Sequence, residues 1–97
     1  MDLGLNGKIA MITGGSNGLG KQIAYALASE GCHVSICARG KQRLDSTEAE
    51  LKTLGVKVLT SVADVTVERD AECFYNRTVS KLGAPDILVN NVGGRRG

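Results

Sequence analysis

Apolar residues along this chain follow two alternating rhythms. Short aliphatic and β-branched runs at Lys8–Thr13, His33–Ala38, Val56–Val62 and Asp86–Asn90 read as strands. Between them, apolar residues recur every three or four positions, the helical spacing. Gly18–Glu30 sets Leu19, Ile23 and Leu27 on one face, and Lys41–Leu54 sets Leu44, Leu51 and Leu54 inward. A third helix starts at a Thr66 cap with Glu68 and Arg69 in its first turn. Its inward face is Ala71, Phe74, Tyr75, Thr78, Val79 and Leu82. Gly31 and Gly55 stop the first two helices, and Gly83-Ala84-Pro85 breaks the third.

Strands alternating with helices, at about 30 residues per unit, predict an α/β fold with a doubly wound parallel sheet. In the strand order 3-2-1-4 the winding reverses between strands one and four, and ligands bind beyond the C-terminal strand ends at such a point. Those ends carry Gly14–Gly20, Arg39, Asp64 and Asn90–Gly93. The unusual glycine and polar residues therefore gather along one edge.

The first strand-to-helix joint reads Thr13-Gly14-Gly15-Ser16-Asn17-Gly18-Leu19-Gly20, with four glycines in eight residues. A glycine turn opening a helix exposes backbone N–H groups at the positive end of the helix dipole, where a diphosphate docks. Gly14 is free to take turn angles barred to other residues, while Gly18 and Gly20 let backbone, ligand and strand approach closely. A P-loop fits Gly15, Gly20 and Lys21 but fails at Gln22, where a Ser or Thr would hold magnesium. The common G-x-G-x-x-G spacing is not matched either, since Gly14, Gly18 and Gly20 stand four and two apart. The bland alternative is a turn that merely joins strand to helix.

Composition narrows the picture. The 97 residues suffice for one small domain, and one Phe and two Tyr leave the core to aliphatic side chains. A net charge of +2 with dispersed cations argues against nucleic acid. No apolar run approaches the roughly 20 residues that span a bilayer, and the first residues lack the marks of a signal peptide. Cys32, Cys37 and Cys73 are odd in number and lack C-x-x-C spacing, so neither a disulfide framework nor a zinc site is expected. Reduced thiols fit a cytoplasmic chain. His33 reads as a strand residue facing solvent.

Three segments together resemble the short-chain dehydrogenase/reductase family. They are Thr13-Gly14-(three residues)-Gly18-Leu19-Gly20, Asp64-Val65 after the third strand, and Asn90-Asn91-Val92-Gly93 after the fourth. The family patterns are T-G-x-x-x-G-[IL]-G, D-V and N-N-A-G, and Val92 replaces the usual Ala. The resemblance spans the chain in the right order. Its nearest flavour is the bacterial-type NADP-dependent reductases, including 3-oxoacyl-carrier-protein and tropinone-reductase-like enzymes. It implies that residues 1–97 are the N-terminal part of a single Rossmann NAD(P)-binding domain.

The resemblance also implies roles. Gly14, Gly15, Gly18, Leu19 and Gly20 would hold the pyrophosphate by backbone, with Ser16 and Asn17 adding side-chain hydrogen bonds. Asp64 and the Val65 backbone would meet the adenine amino group. Asn91, Val92 and Gly93 would pass close to the cofactor ribose, while Asn90 braces the strand end. Asp64 has a purely structural reading beside this one, as part of the third helix's cap. An acidic residue at the end of the second strand would select NAD; here that residue is Arg39, whose planar fork suits a 2′-phosphate. Lys41 and Arg43 add positive charge nearby. NADP is therefore expected over NAD, although Asn17 stands where many NADP-dependent members carry a second basic residue.

The family's chemistry requires a Ser and a Tyr followed four residues later by Lys, the Lys lowering the Tyr pKa for proton relay. Four residues after Tyr25 stands Ser29, and four after Tyr75 stands Val79. No catalytic residue is assigned. Ile87-Leu88-Val89 would also be an uncovered apolar edge. Both observations lead to the expectation of the cofactor-binding part of a longer oxidoreductase, acting on a carbonyl or alcohol substrate and homo-oligomeric when complete. The alternative is a stand-alone nucleotide-binding or interaction module.

Overall fold

The computed structural model describes residues 4–14 and 18–90. Along the chain run β1 (Ile9–Thr13), α1 (Gly18–Ser29), β2 (His33–Ala38), α2 (Lys41–Lys52), β3 (Val58–Val62), α3 (Glu68–Lys81) and β4 (Ile87–Asn90). The strands form one parallel sheet in the order β3-β2-β1-β4, as the alternation predicts.

Register assigns each residue to a face. Ala10 lies beside Val34 and Ile87, and Ile12 beside Ile36 and Val89. These side chains meet Ala24 and Ala28 of α1 and Leu44 and Leu51 of α2 in the larger core. The opposite face holds Met11 and Cys37 with Ala63 and Phe74 of the α3 side. Helices thus cover both faces, which is the doubly wound arrangement.

Two helix faces differ from the periodicity reading. In α1 the buried residues are Gly20, Ala24 and Ala28, while Leu19 is 61% exposed. The stripe is rotated by one residue because small side chains let the helix axis approach the sheet; Leu27 packs at the flank. In α3 only Phe74 and Thr78 are fully buried, and Tyr75 and Val79 face outward. The predicted inward face was too wide by a residue on that side. In α2, Leu44 and Leu51 are buried as expected, and Thr47 joins them.

A hydroxyl pair fixes α3 on the sheet. Thr78 Oγ1 donates to the Phe74 carbonyl at 2.8 Å, which commits its proton. Ser35 Oγ, 2.7 Å from Thr78 Oγ1, is then the donor between the two. Both residues are fully buried, and each hydroxyl supplies what the other lacks. Gly31, at φ +93°, reverses the chain after α1, and its carbonyl accepts from the Gly7 amide at 2.9 Å. His33 is half-buried rather than simply facing solvent: its Nδ1 accepts the Lys57 N–H at 3.0 Å. No helix among the described residues is long and apolar enough to cross a membrane.

Candidate functional site

Each strand's C-terminal end delivers one part of the edge. At β1 the ladder runs one residue past the strand, because the Gly14 amide donates to the Cys37 carbonyl at 2.8 Å. Gly14 then turns the chain at φ +67°, a conformation costing other residues roughly 1 kcal/mol or more. α1 begins at Gly18 with no acidic residue in its first turn, so no carboxylate of its own competes for the positive end of its dipole. A Cβ on Gly18 would meet nothing within 4 Å among the described residues. These features fit a dinucleotide's phosphates. Gly15, Ser16 and Asn17 lie outside the described residues, as do Asn91, Val92 and Gly93.

At the end of β4, Asn90 meets β1: Thr13 Oγ1 donates to Asn90 Oδ1 at 3.1 Å. This matches the bracing role expected for it. Arg39, just past β2, is exposed and makes no hydrogen bond or ion pair among the described residues. Lys41 contributes less than its charge suggests, since its Nζ pairs with Asp45 at 2.8 Å.

Asp64 follows β3 and is shaped by several contacts. Its backbone N–H donates to Asp70 Oδ2 at 2.9 Å, and its carbonyl accepts from Val67 N–H at 2.9 Å. Its Oδ1 accepts from the Thr66 N–H at 3.0 Å and from Thr66 Oγ1 at 2.6 Å. The Thr66 hydroxyl first and then the Thr66 amide hold the Asp64 carboxyl below its usual range against the opposing effect of burial, with a lesser contribution from the Arg39 charge. Thr66 is not the helix cap, contrary to expectation: Val67, whose side chain has no acceptor to offer, occupies that position, and the Thr66 hydroxyl is engaged by Asp64 instead. The structural reading of Asp64 is therefore partly realised, yet Oδ2 accepts no hydrogen bond among the described residues. Val65 packs against the Met11, Cys37, Ala63 and Phe74 cluster and anchors the loop.

Beneath the turn, burial pushes the Cys37 thiol up to about 11, opposed by the Gly14 amide and assisted by Asp70. The three cysteines are free, with Cys32 and Cys37 buried and Cys73 exposed. No group of described residues is arranged to hold a metal ion. Tyr25 and Tyr75 lie on exposed helix surfaces of α1 and α3.

Sequence reasoning missed Asp70 and Arg77. Asp70 carried a signal, being an acidic residue in the first turn of α3, where an acceptor for a preceding amide is commonly found. Arg77 carried none, because its contacts to Ser61 Oγ at 3.1 Å and the Thr60 carbonyl at 3.3 Å depend on tertiary placement. Between α2, β3 and Arg77 lies an open cleft of about 440 Å³, separate from the glycine turn.

Known proteins share this arrangement. The sequence pattern of the family described as short chain dehydrogenase matches residues 8–97. The glycine betaine reductase of Emericella nidulans is 43% identical over 89 residues, covering 92% of this chain and 7% of that protein. The 11-beta-hydroxysteroid dehydrogenase of Pinus massoniana is 42% identical over 90 residues, covering 92% of this chain and 25% of that protein. L-sorbose reductase from Gluconobacter frateurii, crystallised with NADPH and L-sorbose, superposes with a TM-score of 0.94 at 39% identity, over 99% of this chain and 37% of that one. A 7 alpha-hydroxysteroid dehydrogenase complexed with NADH and 7-oxo glycochenodeoxycholic acid gives 0.89 at 37% identity, over 93% and 35%. This chain thus spans little more than a third, or less, of each of these proteins. The turn, the strand order and these matches agree: the chain belongs to the short-chain dehydrogenase family.

Proposed function

We propose that this chain is the dinucleotide-binding portion of an oxidoreductase that moves hydride between NADP(H) and a carbonyl or alcohol substrate. The observation that carries the reading is the gathering of the Gly14 turn, Arg39 and Asp64 at the C-terminal ends of three adjacent strands. In this reading Gly14, Gly15, Gly18, Leu19 and Gly20 receive the pyrophosphate with Ser16 and Asn17, and Asp64 and Val65 receive the adenine. Asn91, Val92 and Gly93 border the ribose. The bound nicotinamide supplies the hydride chemistry; this chain's residues bind and orient it.

Arg39 favours NADP over NAD. Arg39 is exposed and makes no hydrogen bond or ion pair among the described residues, and a 2′-phosphate offers its guanidinium two oxygens in the plane of its fork. The relatives leave the choice open, since L-sorbose reductase was crystallised with NADPH and the hydroxysteroid dehydrogenase with NADH. The substrate and homo-oligomeric assembly are proposed for the complete enzyme.

Titration calorimetry of the 97-residue chain with NADPH and NADH tests the reading. Saturable binding with NADPH the tighter ligand is expected, without NADPH oxidation when carbonyl substrates are added. Failure of both dinucleotides to bind would overturn it. Substrate-dependent oxidation would overturn the assignment of this chain to binding alone.

A further inference from the structure

We propose that Thr66 and Asp70 are positioning residues that aim Asp64 Oδ2 at the 6-amino group of a bound adenine, making the site selective against 6-oxo purines; this rests on the cofactor reading above. The distribution of hydrogen bonds carries the argument. Thr66 gives both of its donors to the same carboxylate oxygen, at 2.6 and 3.0 Å, and leaves Oδ2 without a hydrogen bond among the described residues. Asp64 is only partly buried, so packing alone does not set its rotamer and these two bonds do. Asp70 fixes the other end by accepting the Asp64 backbone N–H at 2.9 Å. The residue is thereby held at its amide and at one oxygen, with a single oxygen left over.

That leftover oxygen reads chemistry. An ionised carboxylate only accepts hydrogen bonds, and the contacts that keep Asp64 below the usual carboxylate range keep it in this state. An adenine 6-amino group donates and is satisfied. A hypoxanthine 6-oxo group accepts, so two acceptors would face each other and one polar group would be left unpaired, which is the stronger form of discrimination. A carboxylate free to rotate would lose part of this distinction by turning away. Orientation, rather than the mere presence of Asp64, sets the ratio.

The test compares NADPH with its hypoxanthine analogue, reduced nicotinamide hypoxanthine dinucleotide phosphate, as ligands of the 97-residue chain. The measured quantity is the ratio of the two dissociation constants. Thr66→Val and Asp70→Ala each remove one arm of the clamp, and the adenine preference is expected to fall about fivefold in each, the worth of one net hydrogen bond. Thr66→Ser and Asp70→Asn keep an equivalent donor or acceptor and are expected to retain the preference. A general loosening of the loop would weaken both ligands together and leave the ratio unchanged. An unchanged ratio in Thr66→Val and Asp70→Ala, or an equal fall in the conservative variants, would overturn the proposal while leaving the cofactor reading intact. A parent chain that binds neither dinucleotide would remove both.

Discussion

Thr13 and Asn90, the last residues of two neighbouring parallel strands, are joined by a 3.1 Å hydrogen bond from the Thr13 hydroxyl to Asn90 Oδ1. The bond ties β1 to β4 at the point where the glycine turn leaves the sheet. Asn90→Ala removes this acceptor and leaves the Thr13 hydroxyl the more distant Val89 carbonyl, at 3.4 Å, so the net cost should be about 1 kcal/mol. For a domain of this size that is a fall of roughly 4–8 °C in Tm. Asn90→Asp retains an acceptor and should lose less; equal Tm values for the Ala variant and the parent would show the bond to be idle.

Arg39 has a second, independent test. Arg39→Asp replaces the guanidinium with a carboxylate that repels a 2′-phosphate and accepts from a 2′-hydroxyl. The NADPH-to-NADH affinity ratio should fall by at least about tenfold, given charge-assisted bonds worth roughly 1.5–3 kcal/mol. An unchanged ratio in calorimetry would refute the 2′-phosphate role.

The three thiols should separate cleanly in a reactivity assay. Cys73 is exposed, whereas Cys32 and Cys37 are buried and their thiols are pushed up, chiefly by burial. A chromogenic disulfide reagent at pH 8 should titrate one thiol quickly and the other two only on unfolding. Fast reaction of all three would contradict the burial of Cys32 and Cys37.

The same shift gives a sign for alkaline stability. The Cys37 thiol goes from 9.0 to about 11 on folding, so the unfolded chain releases its proton first. Its stabilising contribution is complete below pH 9 and is lost as pH climbs toward 11, at about 1.4 kcal/mol per pH unit for each such group. Cys37→Ala should flatten this fall in denaturant titrations between pH 9 and 11.

Asp64 carries the opposite sign. Its carboxyl sits below the ordinary value of 3.8, first through the Thr66 hydroxyl, so its contribution is present above that pH and disappears as acid drives it through its lower native value. Carbon-13 NMR of the carboxyl should show its titration moving upward in Thr66→Val. A midpoint that stays put would mean the hydroxyl does not hold it.

The strand order was legible because each strand is a compact apolar run bounded by glycine or a charged turn. Arg39, Asp64 and Asn90 fell at strand ends for the same reason. Helix faces were less legible. Alternating Ala and Leu in α1 satisfies two adjacent stripes, and closeness to the sheet selected Ala24 and Ala28 over Leu19. The contacts of Thr66 could not be read, since a Thr before a helix serves equally as cap or as partner of an Asp two residues back. Ser35 in a central strand was the overlooked clue that a second buried hydroxyl, Thr78, lay across from it.

Arg77 gives the sheet a direction. Its guanidinium lies over the outer flank of β3, taking the Thr60 carbonyl that points away from β2 and the Ser61 hydroxyl beside it. A strand approaching from that side would have to displace a cation and forfeit two of its bonds before forming its own. At the opposite end β4 has β1 as its one strand neighbour among the described residues. Arg77 thus works as an end-stop on the β3 side of the sheet, where an added strand would first have to undo its two bonds.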